Sequence, residues 1–417
     1  MKGPLTGVRG IVITQAWAGA FCTEMLGLLG ADIIQIEVRK RPDSWRGDYH
    51  APLAKMLHDV ATAEHPWNCN ALYNSVNLNK RCITLDLQTL EGLEIFKRLL
   101  PFADVVAENF SPRVLGNLGI GYEVMKAINP GVILCSLSAY GRGGPWENVP
   151  GIGGTIEPTS GMSALLGYEE GPPMNSGQMY PDAVAGLHAL SGILTALHYR
   201  NRTGHGQYID LSMQEANLVQ IGDAALQYRM TGAVRGRMGN RHHTFAPHGI
   251  FPCTGTDRWV ALACESEAQW EAFCVAAGHA EWRSDDRFAM NGLRKANEHT
   301  LEATIGAWTR GSERDELVAR LRAAGVIVAP VLTAPEVAAD ARFRERGVVV
   351  EVAHDETGKW PQVANPLRFS RTTATEVRPA PLLGQHTAEV LSELLGIGQE
   401  DYDRLVAAGI SGMGPPE

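Results

Sequence analysis

The chain has 417 residues, 45% of them hydrophobic and 20% charged, a length that predicts two domains rather than one small core. Its net charge of -9, with 37 Lys and Arg scattered along the chain, argues against nucleic acid as the main partner while leaving room for a local basic pocket. No apolar run reaches bilayer length, "MKGPLTGVRGIVITQAW" lacks a secretory layout, and seven cysteines without a C-x-x-C give neither a disulfide framework nor a zinc site, so a reducing cytoplasm is the expected setting.

The first 140 residues alternate between strand-like and helix-like segments. "GVRGIVI" predicts a strand, "GAFCTEMLGLLG" a helix stopped by glycine, and "ADIIQIEV" a buried strand. Further on, "LEGLEIFKRLLPFA" predicts a helix, "DVVAENF" a strand, "GYEVMKAINP" a short helix and "GVILCSLSAYG" another strand. This alternation predicts an α/β architecture, a parallel sheet covered by helices, with ligands collecting beyond the carboxyl ends of the strands. Those ends carry Glu37-Val38-Arg39, Glu108-Asn109-Phe110 and Ser138-Ala139-Tyr140-Gly141. No G-x-G-x-x-G follows the first strand and no phosphate-loop motif occurs, which speaks against the usual nicotinamide and P-loop enzymes.

From Gly141 to Gly177 the chain is rich in glycine and proline, either a long surface connection or backbone brought close to a ligand. It leads into "GQMYPDAVAGLHALSGILTALHYR", where Pro181 and Asp182 stand at the predicted start of a helix. Asp is among the best N-caps. With a reference pKa of ~3.9 it is also ionised at neutral pH, and a carboxylate can attack an activated acyl group. The residue pattern permits both readings. Residues 226–330 read as a smaller α/β lobe, and "PLLGQHTAEVLSELLG" as a further amphipathic helix. His242, His243 and His248 have no partner at ligand spacing, so no metal is expected. Ser136 and Ser138 lack a nucleophile elbow. Lys80, Arg81, Arg39 and Arg113 are candidate phosphate contacts near strand ends.

Taken together, "PLTGVRGIVI", "AGAFCTEMLGLLGADIIQIE", "NKRCITLDLQTLEG", "ADVVAENFSPRVLGNLGIGYE", "NPGVILCSLSAYGRGGP", "GPPMNSGQMYPDAVAGLHALSGILTAL", "TGHGQYIDLSMQEA" and "APLLGQHTAEVL" resemble, in order and over nearly the whole chain, the family III CoA-transferases of the formyl-CoA transferase (CaiB-BaiF) type. The resemblance implies a large Rossmann-like CoA-binding domain over 1–205, a small α/β domain over 226–330 and a segment over 345–417 returning to the large domain. It also implies two subunits threaded through each other as an interlocked homodimer, with a heteromer containing a paralogue as the variant arrangement. Asp182 matches the family's catalytic aspartate, which passes CoA from an acyl-CoA to a carboxylic acid through mixed anhydrides and an aspartyl-CoA thioester, without metal. CoA-contacting positions match Trp17, Ala18, Leu85, Asp86, Leu87, Gln88, Asn109, Phe110 and Ser111. Two family arginines align instead with Val38 and Asn117, and Arg39 and Arg113 are their nearest basic neighbours. Gly151, Ile152, Gly153 and Gly154 are the candidate for a loop that covers the site and excludes water, and they depart from the family, many of whose members carry a bulky polar side chain there. A racemase branch of the family places a catalytic histidine at the position of Ile152, and isoleucine transfers no proton. The alternatives implied are an isomerase or intramolecular CoA-transferase of the same fold, or a CoA-binding inactive subunit.

Overall fold

Alternation along the strands decides how the larger part of the chain packs. The computed structural model describes residues 3–49, 64–372 and 375–416; Met1 and Lys2 of the N-terminal stretch lie outside them. β1 (Arg9–Ile13), β2 (Asp32–Glu37), β3 (Lys80–Thr84), β4 (Val105–Glu108), β5 (Ile133–Ser138) and β6 (Tyr208–Ser212) form one parallel sheet in the order β3-β2-β1-β4-β5-β6. Side chains at successive positions face opposite sides. Val12, Ile33, Val105, Ala107, Ile133 and Cys135 pack on one face with the helices Ala18–Leu28 and Tyr180–Thr203. Ile11, Ile34, Ile36, Ile83, Val106 and Leu134 pack on the other with Leu90–Leu99, Thr387–Leu395 and Gln399–Ala407. Each such buried aliphatic side chain contributes about 1.5–3 kcal/mol, so both faces are strongly anchored.

The strand order reverses between β1 and β4, giving the doubly wound arrangement in which ligands sit at the reversal point beyond the carboxyl ends. β1, β2, β4 and β5 are the strands the sequence predicts. β3 and β6 are additions: Lys80 and Arg81 give "KRCIT" a charged start, and "YIDLS" is short and half-exposed. The glycine-rich stretch after β5 is not only a connection, because it forms the helices Gly153–Thr159 and Met162–Leu165.

Two compact units result. The larger comprises Met1–Met162, Asn175–Gly232 and Ala341–Glu417, and also holds an antiparallel hairpin formed later in the chain. The smaller comprises Ser163–Met174 and Ala233–Asp340. Its β7 (His248–Pro252), β8 (Trp259–Ala263) and β9 (Ile327–Pro330) make an antiparallel sheet with β8 in the middle, over a core that includes Phe251, Trp270, Phe273, Phe288 and Leu317. The hairpin of the larger unit is β10 (Val349–His354) with β11 (Gly358–Val363). Among the described residues no helix is long and apolar enough to cross a membrane.

Candidate active site

The turn leaving β1 is held from below by buried polar groups. Asn109, just past β4, uses both ends of its amide on Gln15: its Oδ1 accepts from the Gln15 N–H and its Nδ2 donates to the Gln15 carbonyl, each at 2.8 Å. Ala16 then takes a left-handed φ of 55°, a conformation that costs an L-residue energy and needs outside support. Asp43 supplies it, both carboxylate oxygens accepting from the Ala16 N–H at 3.0 Å and one also from the Trp45 N–H at 2.9 Å. Burial and the neighbouring Glu37 push the Asp43 carboxyl up to about 6, against those amides and Arg46. Beneath it lies a fully buried pair, Glu37 with Arg46 at 2.8 Å. Arg46 also reaches the Asn68 side chain and the Pro381 carbonyl, and lies 3.7 Å from the centre of the Tyr73 ring. Burial raises the Glu37 carboxyl, but the Arg46 guanidinium outweighs it and holds the group below its ordinary range.

Asp182 meets this turn from the other side. The 24-residue helix Tyr180–Thr203 has Met179, not Asp182, as its N-cap, and Met179 is also left-handed at φ 47°. The N-cap reading of Asp182 is therefore corrected: it sits inside the first turn, its N–H donating to the Met179 carbonyl at 3.0 Å. There the helix dipole favours its charge. Asp182 is only 9% exposed, and its Oδ2 is buried without a hydrogen-bond partner. Burial pushes its carboxyl up to about 6, while the backbone N–H groups of Ala18 and of Asp182 itself pull the other way. The Ala18 amide thus links the β1 exit to the carboxylate. Helix contact makes this possible: a Cβ at Gly186 would lie 2.9 Å from the Ala18 carbonyl oxygen and 3.0 Å from the Phe21 ring.

The glycine loop covers the carboxylate directly. A Cβ at Gly153 would fall 2.1 Å from Asp182 Oδ2 and 2.7 Å from Met179 Cβ, so no larger residue fits without moving the carboxylate. Gly151 is similarly constrained, its Cβ position lying 2.7 Å from Ala139 Cβ, whereas Gly154 faces open space and Ile152 is 66% exposed. The segment before Asp182 is clamped onto the Gly153–Thr159 helix by the buried Glu157, which accepts from the Ser176 N–H and hydroxyl at 2.6 and 2.7 Å, while Asn175 donates to the Gly154 carbonyl.

These contacts bring Ala18, Gly153 and Asp182 together, while Asn109 fixes the turn that leads through Trp17 to Ala18. Other predicted positions have different partners. Each nitrogen of Arg39 donates to a carbonyl of the C-terminal segment, those of Ser411, Gly414 and Pro415, at 2.6–2.8 Å. Leu85 and Leu87 point into the core, and Asp86 accepts from Lys40 at 2.8 Å and from the Gln88 N–H at 3.0 Å, leaving Gln88 exposed. Phe110 is half-buried against the second core face, its N–H donating to Glu108. Ser111 and Arg113 are exposed beyond the carboxyl end of β4. Lys80 and Arg81 are corrected as phosphate candidates: they start β3 at its amino end, Lys80 buried on the Ala20 carbonyl and Asn77, Arg81 paired with Asp32 and Glu393. His242, His243 and His248 lie in the smaller unit, where His242 stacks on Phe245 at 3.8 Å. Among the described residues no group of three metal-ligating side chains converges. Sequence reasoning missed Asp43 and Arg46, whose signal is a charged pair in "PDSWR" directly after a buried strand.

Comparison with known proteins places this geometry in a family. The family model for CoA-transferase family III matches residues 5–387. The chain is 32% identical to the succinyl-CoA–D-citramalate CoA-transferase of Chloroflexus aurantiacus over 97% of each chain, and 30% identical to the succinate–glutarate CoA-transferase of Agrobacterium fabrum over 94% of this chain and 96% of that one. A crystal structure of a CaiB/BaiF family protein from Brucella suis superposes with a TM-score of 0.85 at 32% identity, covering 94% of this chain and all of that one. The chain belongs to CoA-transferase family III.

Proposed function

We propose that Asp182 is the nucleophile through which this CoA-transferase moves CoA from an acyl-CoA to a carboxylic acid. The observation that supports this most is the buried Oδ2 of Asp182, unpartnered, beneath Gly153 and at the reversal point of the sheet. A partnerless carboxylate oxygen in a dry site keeps its lone pairs for a carbon electrophile. At neutral pH a carboxyl titrating at about 6 is mostly ionised yet more basic than a solvated aspartate, which makes it the better nucleophile.

Atoms and charge balance in each step, and every intermediate keeps an activated acyl bond. Asp182 attacks the donor thioester carbonyl, forming a mixed anhydride and expelling CoA thiolate. The thiolate attacks the aspartyl carbonyl, which leaves an aspartyl-CoA thioester and releases the donor acid with one oxygen from Asp182. The acceptor carboxylate attacks that thioester, giving a second anhydride and thiolate. The thiolate then attacks the acceptor's acyl carbonyl, forming the new acyl-CoA and restoring Asp182 with one acceptor oxygen. Every intermediate is hydrolysable, so Gly151, Ile152, Gly153 and Gly154 serve as the cover that excludes water. In the same reading the CoA thioester lies along Trp17 and Ala18 and past Asn109, with Phe110, Ser111, Gln88 and Arg113 lining the crevice toward the nucleotide. Arg39 holds the C-terminal segment rather than a phosphate.

Oxygen bookkeeping tests this mechanism. With enzyme in excess over the donor acyl-CoA and both acceptor oxygens labelled with oxygen-18, one turnover leaves a single heavy oxygen in the peptide carrying Asp182, and the released donor acid unlabelled. Label in the released acid with an unchanged peptide contradicts the reading, because it means the two acids form an anhydride with each other.

A further inference from the structure

Glu157 makes contacts that core packing does not account for. It is fully buried on the Gly153–Thr159 helix, where a leucine would pack without the cost of taking a carboxyl group out of water. Both of its oxygens are spent on one residue, accepting from the Ser176 N–H at 2.6 Å and from the Ser176 hydroxyl at 2.7 Å. Ser176 Oγ in turn accepts from the Gln178 N–H at 3.3 Å. A further bond joins the same two segments. Pro158 has no N–H to offer the Gly154 carbonyl four residues back, and Asn175 Nδ2 donates to that carbonyl instead, at 2.9 Å.

The segment so held is the approach to Asp182. Residues 175–178 have no regular structure of their own, and Met179, which follows them, caps the helix of Asp182 in a left-handed conformation. Such a conformation persists only where its surroundings enforce it. The helix that does the holding is itself fixed at its far end, because Gln214 donates to the Thr159 carbonyl at 2.9 Å and Asn217 to Ser160 Oγ at 2.6 Å. Glu157 lies about one helical turn after Gly153, the residue that closes over Asp182 Oδ2 and Met179 Cβ. One anchored helix therefore carries both the cover and the grip on the chain beneath it.

We infer that Glu157 is a positioning residue that, through Ser176, keeps Asp182 seated under Gly153 and so sets how the acyl intermediates divide between the acceptor acid and water. This inference rests on the nucleophile reading above. A reacting group displaced by about 1 Å costs about a hundredfold in rate. The same displacement opens the cover to water. Water then attacks the acyl carbon of the aspartyl-CoA thioester and the C–S bond breaks. Asp182 is regenerated with one oxygen from water, whose two protons go to the CoA thiolate and to solvent.

The test compares the whole wild-type protein with Glu157→Leu and Glu157→Gln. Transfer and hydrolysis are followed together over a panel of acyl-CoA donors and acids that includes succinyl-CoA with glutarate, while hydrogen–deuterium exchange of peptides over 151–162 and 175–182 reads the clamp without turnover. Glu157→Leu is expected to lower kcat about a hundredfold with KM little changed, to raise the hydrolysis-to-transfer ratio about tenfold or more, and to speed deuterium exchange in both peptides. Glu157→Gln is expected to restore all three, because an amide accepts from the Ser176 N–H and donates to the Ser176 hydroxyl. A purely structural role would lower the amount of active enzyme and leave the ratio alone. Should Glu157→Leu not fold, Ser176→Ala, which removes the 2.7 Å bond alone, is expected to raise the ratio about fivefold. An unchanged ratio, or unchanged deuterium exchange in both peptides, overturns the inference and leaves the nucleophile reading standing. A ratio that rises as far in Glu157→Gln as in Glu157→Leu overturns it too, because the bonds to Ser176 are then not the cause. Faster deuterium exchange in Glu157→Leu, with no CoA transfer by the wild type from any donor, supports the clamp and removes the nucleophile reading.

Discussion

Asp182 and the glycine that covers it decide the chemistry at the residue scale, and both have checkable consequences. Asp182 titrates at about 6 in the folded protein against an ordinary 3.8, so the native state binds its proton more tightly than the unfolded chain does. The sign follows: the group costs nothing below pH 3.8, and its destabilising contribution grows as pH rises and is complete above about 6. At neutral pH the cost is at most about 3 kcal/mol. Asp182→Asn is therefore expected to raise Tm at pH 7 while lowering kcat about a thousandfold or more, read by calorimetry and an exchange assay. A fall in Tm would show that the carboxylate is better satisfied than its burial implies. In the wild-type enzyme kcat/KM should fall about tenfold per pH step below about 6. Gly153→Ala places a methyl on Asp182 Oδ2 and should cost about a hundredfold in kcat, whereas Gly154→Ala, facing open space, should cost little.

Elements position these residues through close backbone approach and one buried polar network. Gly186 lets the Ala18–Leu28 and Tyr180–Thr203 helices touch, which brings the Ala18 amide to Asp182. Gly186→Leu should separate them, destabilise by about 1–3 kcal/mol in denaturant unfolding and lower kcat more than KM rises. Removing Arg46 leaves Glu37 buried and unpaired, so Arg46→Ala should cost about 3–5 kcal/mol. Much of the element layout is legible in the sequence: the apolar strands β1, β2, β4 and β5 and the glycine-stopped helices announce themselves by period and punctuation. β3 and β6 do not, because the charges of Lys80 and Arg81 are met largely by Ala20, Asp32 and Glu393, all distant in sequence, and Tyr208 and Asp210 keep β6 half-polar. The place of Asp182 at a helix start is legible, but not that Met179 takes the cap, since a left-handed methionine has no sequence signature. Nor does the sequence reveal that Arg39 serves the C-terminal segment, a contact across more than 370 positions.

Across the whole molecule, the family assignment carries an expectation about assembly. Val219, Leu226 and Met230, in and beside the helix Gly222–Thr231, are 67%, 59% and 75% exposed, apolar side chains that a partner subunit would cover. We expect two copies to interlock, giving a dimer mass by light scattering at micromolar concentration that persists in high salt. A monomer mass would contradict this, and dimerisation only with a related chain would identify a heteromer. The central claim is covalent: CoA and acyl groups pass through Asp182. The most direct measurement incubates the protein with a small panel of acyl-CoA donors and follows intact and peptide masses. The account requires a CoA or acyl adduct on the peptide holding Asp182, lost in Asp182→Ala and discharged by an added carboxylic acid. Full CoA exchange between acids with no adduct on that peptide, or an exchange rate unchanged in Asp182→Ala, would contradict it.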